Sequence, residues 1–275
     1  MRDTKPSEKL FEIAPHKLKD FHTFIEILKN IPGDEVIFSV SDQGLQVSTK
    51  DERNIIDIIL RFPASFFYSF TSGMSILQFQ LSLEELVRAV QFWREGETVV
   101  FELSETEAVM RVGDSPIPVT IADGMIVPDP IDQIQTPPYL AEIAKNDFIQ
   151  TMTMFAEAFP EDPSEVFPPG YYAPLHPVVF EGNAEEIHFK IRDKLYYRVL
   201  YSIHHPITSS GRVHQARNFY PIEFVKKTLI ITDTLFGDRV PLEFGNNTLL
   251  RIQHTNEENI ELTFLIGPMA EFPRP

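Results

Sequence analysis

The pattern of apolar and polar positions predicts one order of elements laid down twice. Residues 10–30 read LFEIAPHKLKDFHTFIEILKN. This is a short apolar run, then an amphipathic helix over 16–30 in which Leu18, Phe21, Ile25 and Leu28 recur at spacings of three and four. Pro32–Gly33 stops that helix. Residues 139–158, YLAEIAKNDFIQTMTMFAEA, repeat the order, with a helix expected from a cap at Asn146 or Asp147. LSLEELVRAVQFW (81–93) is echoed by YPIEFVKKTLIIT (220–232), and strand-like runs follow each. Ser82 with Glu85 three residues on forms a capping-box pattern at the start of a helix over 82–93. The echo predicts a fourth helix over about 221–229.

The remaining runs read as strands. VIFSV (36–40) and LQVST (45–49) flank the turn SDQG, a hairpin signal. NIIDIILRF (54–62) is a long β-branched run that reads as a buried strand, and 64–70 is a connector with about one helical turn. Further strands are expected at 75–81, over 98–122, at 140–144, over 177–202 and over 240–267. Residues 160–177 and 204–218 read as loops. GMIVPDPIDQIQTPPY (124–139) carries four prolines and cannot be a central strand or a helix interior, so it reads as a linker. Each half then holds two helices and about eight strands. That predicts an α+β chain of two similar domains, 9–123 and 139–270, joined at 124–138.

Composition narrows the function. The chain has 275 residues, 43% of them hydrophobic, enough for two packed cores; 23 phenylalanines predict aromatic-rich ones. Trp93, the lone tryptophan, ends a helix and reads as packing. No apolar run reaches the eighteen residues of a membrane span, and the N-terminus shows no secretory pattern. The absence of cysteine excludes thiol nucleophiles, thiolate metal sites and disulfides. His204, His205 and His214 share one loop with Asp193 and Glu186 nearby, but no metal-binding spacing occurs. Ser209–Ser210–Gly211 is not a nucleophile elbow, and no phosphate-cradling glycine loop is found. Neither an enzyme, a metal nor a cofactor is therefore expected. A net charge of −16 argues against simple nucleic-acid binding, which needs Lys and Arg on phosphates. A protein that encircles DNA escapes that argument, because topology then supplies retention and only an inner wall must be basic.

Four stretches, taken in order, carry a resemblance. They are KDFHTFIEILKNI (19–31); GLQVSTKDERNIIDIILRFPASFFYSF (44–70), with Gly44 opening the return strand and Asp51 after it; PIPVTIAD (116–123); and FLIGP (264–268). Over about residues 10–270 the chain resembles the DNA sliding clamps of the archaeal and eukaryotic PCNA family. The resemblance implies two similar clamp domains, each with two helices on antiparallel sheets, assembling into a pseudo-six-fold trimeric ring. Such a ring encircles duplex DNA without sequence preference and tethers replication and repair enzymes as a polymerase processivity factor.

The same resemblance assigns roles. Lys17, Lys19, Lys29, Arg88, Arg94, Lys226 and Lys227 on the pore helices would face phosphate. Val47, Ile126, Val127, Ile131, Leu265, Gly267 and Pro268 would form the groove for short peptides of polymerase, clamp loader and other partners. An edge strand at 107–113 with Val109 and Met110 would meet a neighbour's strand 186–192 through Ile187, Phe189 and Ile191. Departures from the family pattern are Lys50, Asn54 and Thr248 near the groove, and a helix 146–158 with no basic residue beyond Lys145. Two other readings stay open: a subunit of a heterotrimeric clamp, replicative or checkpoint-type, or a clamp-fold scaffold that binds peptides without DNA. The expected location is cytoplasmic, on the nucleoid, in an archaeon and nuclear in a eukaryote.

Overall fold

The computed structural model describes residues 8–29, 33–51, 53–71, 77–92, 94, 96–103, 108–113, 115–119, 121–122, 137–159, 175–192, 199–209 and 215–269. The first apolar run is strand β1 (Glu8–Ile13), followed by a 3-10 turn at Pro15–Lys17 and helix α1 (Leu18–Leu28). Next come β2 (Glu35–Ser41), β3 (Gly44–Lys50), β4 (Ile56–Pro63), a 3-10 turn at Ala64–Phe66 and β5 (Ser69–Phe70). The first half ends with β6 (Leu77–Ser82), α2 (Leu83–Gln91), β7 (Val99–Leu103), β8 (Ala108–Val112), β9 (Ser115–Val119) and β10 (Ile121–Ala122). The second half opens with β11 (Tyr139–Ala144), α3 (Lys145–Glu157), β12 (Pro177–Gly182), β13 (Glu186–Arg192) and β14 (Val199–Pro206). It closes with β15 (Thr208–Ser209), β16 (Ala216–Pro221), α4 (Ile222–Leu235), β17 (Arg239–Phe244), β18 (Leu250–Thr255) and β19 (Glu261–Ile266).

The duplication holds strand by strand. In the first half β1 pairs with β7, β7 with β8 and β8 with β9, with β5 on the other side of β1. In the second half β11, β17, β18 and β19 take the same order, with β15 beside β11. Likewise β6-β2-β3-β4 is matched by β16-β12-β13-β14. Every strand from β1 to β9 thus has its counterpart ten places later, and α1 and α2 correspond to α3 and α4. The chain divides into two compact units, one mainly before Pro130 and one mainly after Ile131.

Each unit has its own aromatic core. In the first, Phe101 stacks on Phe11 with ring centroids 5.1 Å apart and on Phe38 at 5.7 Å. In the second, Phe180 meets Phe189 at 4.8 Å, Tyr220 at 5.3 Å and Phe244 at 5.8 Å. Such offset and edge-on pairs suit the ring quadrupole and add to simple burial. Helix α1 lies beside α2, and α3 beside α4.

Local chemistry sets several boundaries. Ser82 sits in extended backbone and its hydroxyl accepts the Glu85 N–H at 3.3 Å, the predicted cap of α2. The expected cap of α3 at Asn146 or Asp147 is corrected: the helix starts at Lys145 after Ala144, with no side-chain cap. Helix α4 runs to Leu235, well past 229, because Thr228 and Thr232 turn their hydroxyls onto Val225 and Thr228 carbonyls and so stay buried within it. The expected loop at 204–218 is also corrected. Residues 204–206 extend β14, 208–209 form β15, and 216–218 open β16; sheet pairing overrides the Ser/Gly/His composition there. Gly44 has φ +137°, and a Cβ there would lie 2.0 Å from the Phe62 carbonyl oxygen, so the hairpin return needs glycine.

Gly182 is needed for space. A Cβ on it would fall 2.2 Å from the ring of Tyr139, whose hydroxyl donates to the Asn183 carbonyl at 2.8 Å and cannot swing away freely. Gly182→Ala is expected to destabilise the second unit by roughly 1–3 kcal/mol, as overpacking does. Urea unfolding checks it; an unchanged midpoint removes the steric role.

Candidate nucleic-acid and subunit-contact surfaces

The helices decide where positive charge can meet a phosphate. On α1, the Lys19 side chain is exposed and has no ion-pair partner among the described residues. Lys29, at the end of α1, bonds Glu26 at 2.7 Å. Lys17 reaches Glu258 at 3.3 Å and lies 5.0 Å from the Phe66 ring centroid. Arg88 on α2 is exposed, with Glu85 4.0 Å away. Arg94 is exposed just beyond α2. On α4, Lys226 is exposed and Lys227 rests 4.9 Å from the Phe224 ring centroid. Surface pairs such as Lys29–Glu26 are weak and open readily to a stronger anion. Among the described residues, Lys19, Arg94 and Lys226 nonetheless have no carboxylate partner to give up to a phosphate.

Helix α3 differs. Its exposed positions Asn146, Gln150, Thr153 and Glu157 recur at four, three and four residues and form one stripe without a cation. Its one lysine is occupied elsewhere. The Lys145 ammonium donates to the Asp233 carbonyl at 3.0 Å and the Phe236 carbonyl at 3.3 Å, covering the C-terminal end of α4.

The strands expected at subunit edges are corrected. Strand β8 is bonded to β7 on one side and β9 on the other; β13 is bonded to β12 and β14. Among the described residues the five-stranded sheet ends on β5 and β9, and the four-stranded sheet on β14 and β16. Met110, Ile187, Phe189 and Ile191 are fully buried in their own cores, and only Val109 is partly exposed. Periodicity marked the apolar strands but could not say which strand came last.

Two of these ends, β9 and β14, carry their own signals. Pro116 and Pro118 sit in β9, as proline in a sheet does at an edge. On β14, Tyr201 lies opposite the buried Ile191 and so faces the core side, yet it is 50% exposed, and Val199 is 47% exposed. A core-facing tyrosine left half open on a terminal strand, near an exposed valine, asks for a partner.

The groove residues divide three ways. Ile126, Val127 and Ile131 lie outside the described residues. Val47 and Leu265 are each buried in their own unit, and Pro268 is exposed. The Gly267 N–H already donates to the Ile55 carbonyl at 2.7 Å. The departures have local causes. Lys50 pairs with Asp57 at 3.7 Å, while burial, outweighing Lys50 and aided by Asp51, holds the Asp57 carboxyl above its usual range. Asn54 adopts φ +54°, a left-handed turn that asparagine tolerates. The Thr248 carbonyl accepts from Asn218 at 2.8 Å and from Tyr220 at 3.1 Å, a buried network.

The adjacent histidines point to opposite faces of β14, as neighbours on a strand do. His205 faces α3, with its Nε2 2.7 Å from the Thr151 hydroxyl and its Nδ1 3.5 Å from Asp147; burial holds its pKa below the ordinary value despite that carboxylate. His204 faces solvent beside His188, with ring centroids 4.7 Å apart. His188 bonds Glu186 at 2.6 Å and thereby lowers that carboxyl's pKa. His214, Asp193, Ser210, Gly211 and Trp93 lie outside the described residues.

No family model matches the sequence, and no curated protein matches it. Solved structures do. The chain aligns with A. fulgidus PCNA bound to the C-terminal region of FEN-1 at TM-score 0.67 and 13% identity, covering 97% of this chain and 100% of that one. PCNA from Entamoeba histolytica gives TM-score 0.68 at 12% identity, over 96% and 100% of the two chains. The PCNA2–PCNA3 complex from Sulfolobus tokodaii gives 0.64 at 15%, over 95% and 99%. The resemblance carried by the four sequence stretches is thus met by the fold.

Proposed function

We propose that this chain, which has the fold of the PCNA-type sliding clamps, works as one. Clamp domains at 9–123 and 139–270, joined by a connector at 124–138, would build a non-enzymatic ring that encircles duplex DNA. The observation that carries this is the pair of unlike sheet ends, β9 in the first half and β14 in the second. An edge that accepts a different edge makes a head-to-tail contact, and head-to-tail contacts close into rings when the rotation permits. Three copies would give six similar domains and the expected homotrimer. β9 of one copy would pair with β14 of the next and cover Val199 and Tyr201.

Inside such a ring, Lys19, Arg94 and Lys226 would touch phosphate without reading bases. Lys17, Lys29, Arg88 and Lys227 would add a diffuse positive potential. The net charge of −16 is then no obstacle, because retention is topological. The FEN-1 segment on the A. fulgidus protein supports a peptide-docking role for this chain. Polymerase, clamp loader and repair enzymes would be the users.

One observation favours a second reading, a subunit of a ring built from different chains. The exposed stripe of α3 has no cation, so a ring of identical copies would present three neutral-to-acidic helices to DNA. The Sulfolobus tokodaii complex pairs two distinct PCNA chains.

The test is retention on DNA. Loaded protein is expected to stay on nicked circular DNA through a salt wash and to leave once the circle is cut. The double variant Lys19→Glu, Lys226→Glu should load less well and lower the salt dependence of loading, by up to about two phosphate contacts per copy. Equal retention on linear and circular DNA, or none on either in the presence of a loader, would overturn the clamp reading.

A further inference from the structure

We infer that Glu186, His188 and His204 form a binding site for a divalent transition-metal ion of the zinc class on the solvent face of the β12–β14 sheet. The side chains converge because of strand register. His188 and His204 are directly opposed on β13 and β14, and Glu186 lies two residues before His188, so all three project from one face. One donor atom from each lies within 4.8 Å of the others.

The ligand set suits the ion. Two imidazole nitrogens and one carboxylate oxygen are borderline donors that zinc accepts in tetrahedral sites. Metal–ligand distances of about 2.0–2.2 Å place the donors of such a site about 3.3 Å apart. His188 and Glu186 are already nearer than this at 2.6 Å, and the remaining gaps close by side-chain rotation on a fixed backbone. The ion would replace the His188–Glu186 hydrogen bond with bonds to both groups.

The neighbours select these three residues. Glu181 lies across from His188 on β12, but it is held by Lys190 and by Arg217, whose Nε is 3.0 Å away. His205 is turned to the opposite face by Thr151 and Asp147. The remaining donors are the three that converge. With two ligands on β13 and one on β14, a bound ion would tie the last strand of the sheet to its neighbour. The fourth coordination position would face solvent and hold water or a donor from another molecule.

The experiment uses the untagged full-length chain and zinc alone. Equilibrium dialysis is expected to give one zinc per chain at micromolar free metal. Cobalt substitution should give visible d–d bands, and zinc should raise the melting temperature. His188→Asn and His204→Asn should each weaken binding by at least about tenfold and abolish the cobalt bands. His22→Gln, on α1, should change neither. These positions are exposed or half-exposed, so far-UV circular dichroism should confirm that the variants fold. Unchanged zinc affinity in the double variant, or no binding at millimolar zinc, would overturn the site. Neither outcome depends on the clamp reading.

Discussion

Met110→Asp is expected to unfold the first unit, not to split an assembly. Met110 is 1% exposed on β8, with a bonded strand on each side, opposite Phe101 on β7 and Ile117 on β9. An aspartate there must be buried ionised without a partner or take up a proton to enter. Either route costs about 4 kcal/mol or more. A domain's whole stability is about 5–15 kcal/mol. Ile187→Asp should do the same to the second unit, because Ile187 is equally buried on β13. Circular dichroism melts separate the outcomes. A missing or much lowered transition is expected. A variant that melts normally but sediments as single chains would mean that the strand is an edge after all.

Tyr201→Asp should have the opposite signature: folded single chains. Tyr201 is half exposed, so a charge there can stay in water in the isolated chain at a cost of about 1 kcal/mol or less. Beneath a neighbouring β9 the same charge would be buried without a counter-ion, at several kcal/mol per contact. Three such contacts would close the proposed homotrimeric ring. Light scattering on a sizing column should give the mass of three chains for the natural protein and one for the variant, with unchanged circular dichroism. Tyr68→Asp, at a position 76% exposed, is the control and should leave the mass intact. A variant that keeps three chains sinks the β9–β14 contact. A natural protein that runs as one chain removes the self-sufficient ring and points to different partner subunits.

The two variants differ because of information that sits at different levels of the molecule. Strand periodicity along 107–113 and 186–192 identified apolar strands correctly, and Met110, Ile187, Phe189 and Ile191 there are core. Whether a strand is last in its sheet depends on which partners it finds, and these come from far along the chain: β1 pairs with β7, and β11 with β17. Alternation within a strand is the same for an inner strand and an edge strand with one buried face. The nearest edge signals were the prolines of β9, which read simply as part of a strand run.

The pattern of apolar positions, by itself, determined the repeat, the four helices, most of the strands and the α+β class. These follow from local periodicity, from the Ser82 cap and from turn residues such as Gly44. The residues carrying positive charge on the helices could also be named from sequence. Only the tertiary structure decided which of those cations are already paired, because Lys17 finds Glu258 across more than two hundred residues. It alone decided which strands end the sheets, that Lys145 closes α4 instead of facing outward, and that His204 and His205 serve opposite faces. It also brought Glu186, His188 and His204 together, a set that no fixed spacing marks because the ligands come from two strands. Local order is set by residues within a few positions of one another. Pairing, burial and convergence are set by contacts between distant segments, and those exist only once the chain has folded.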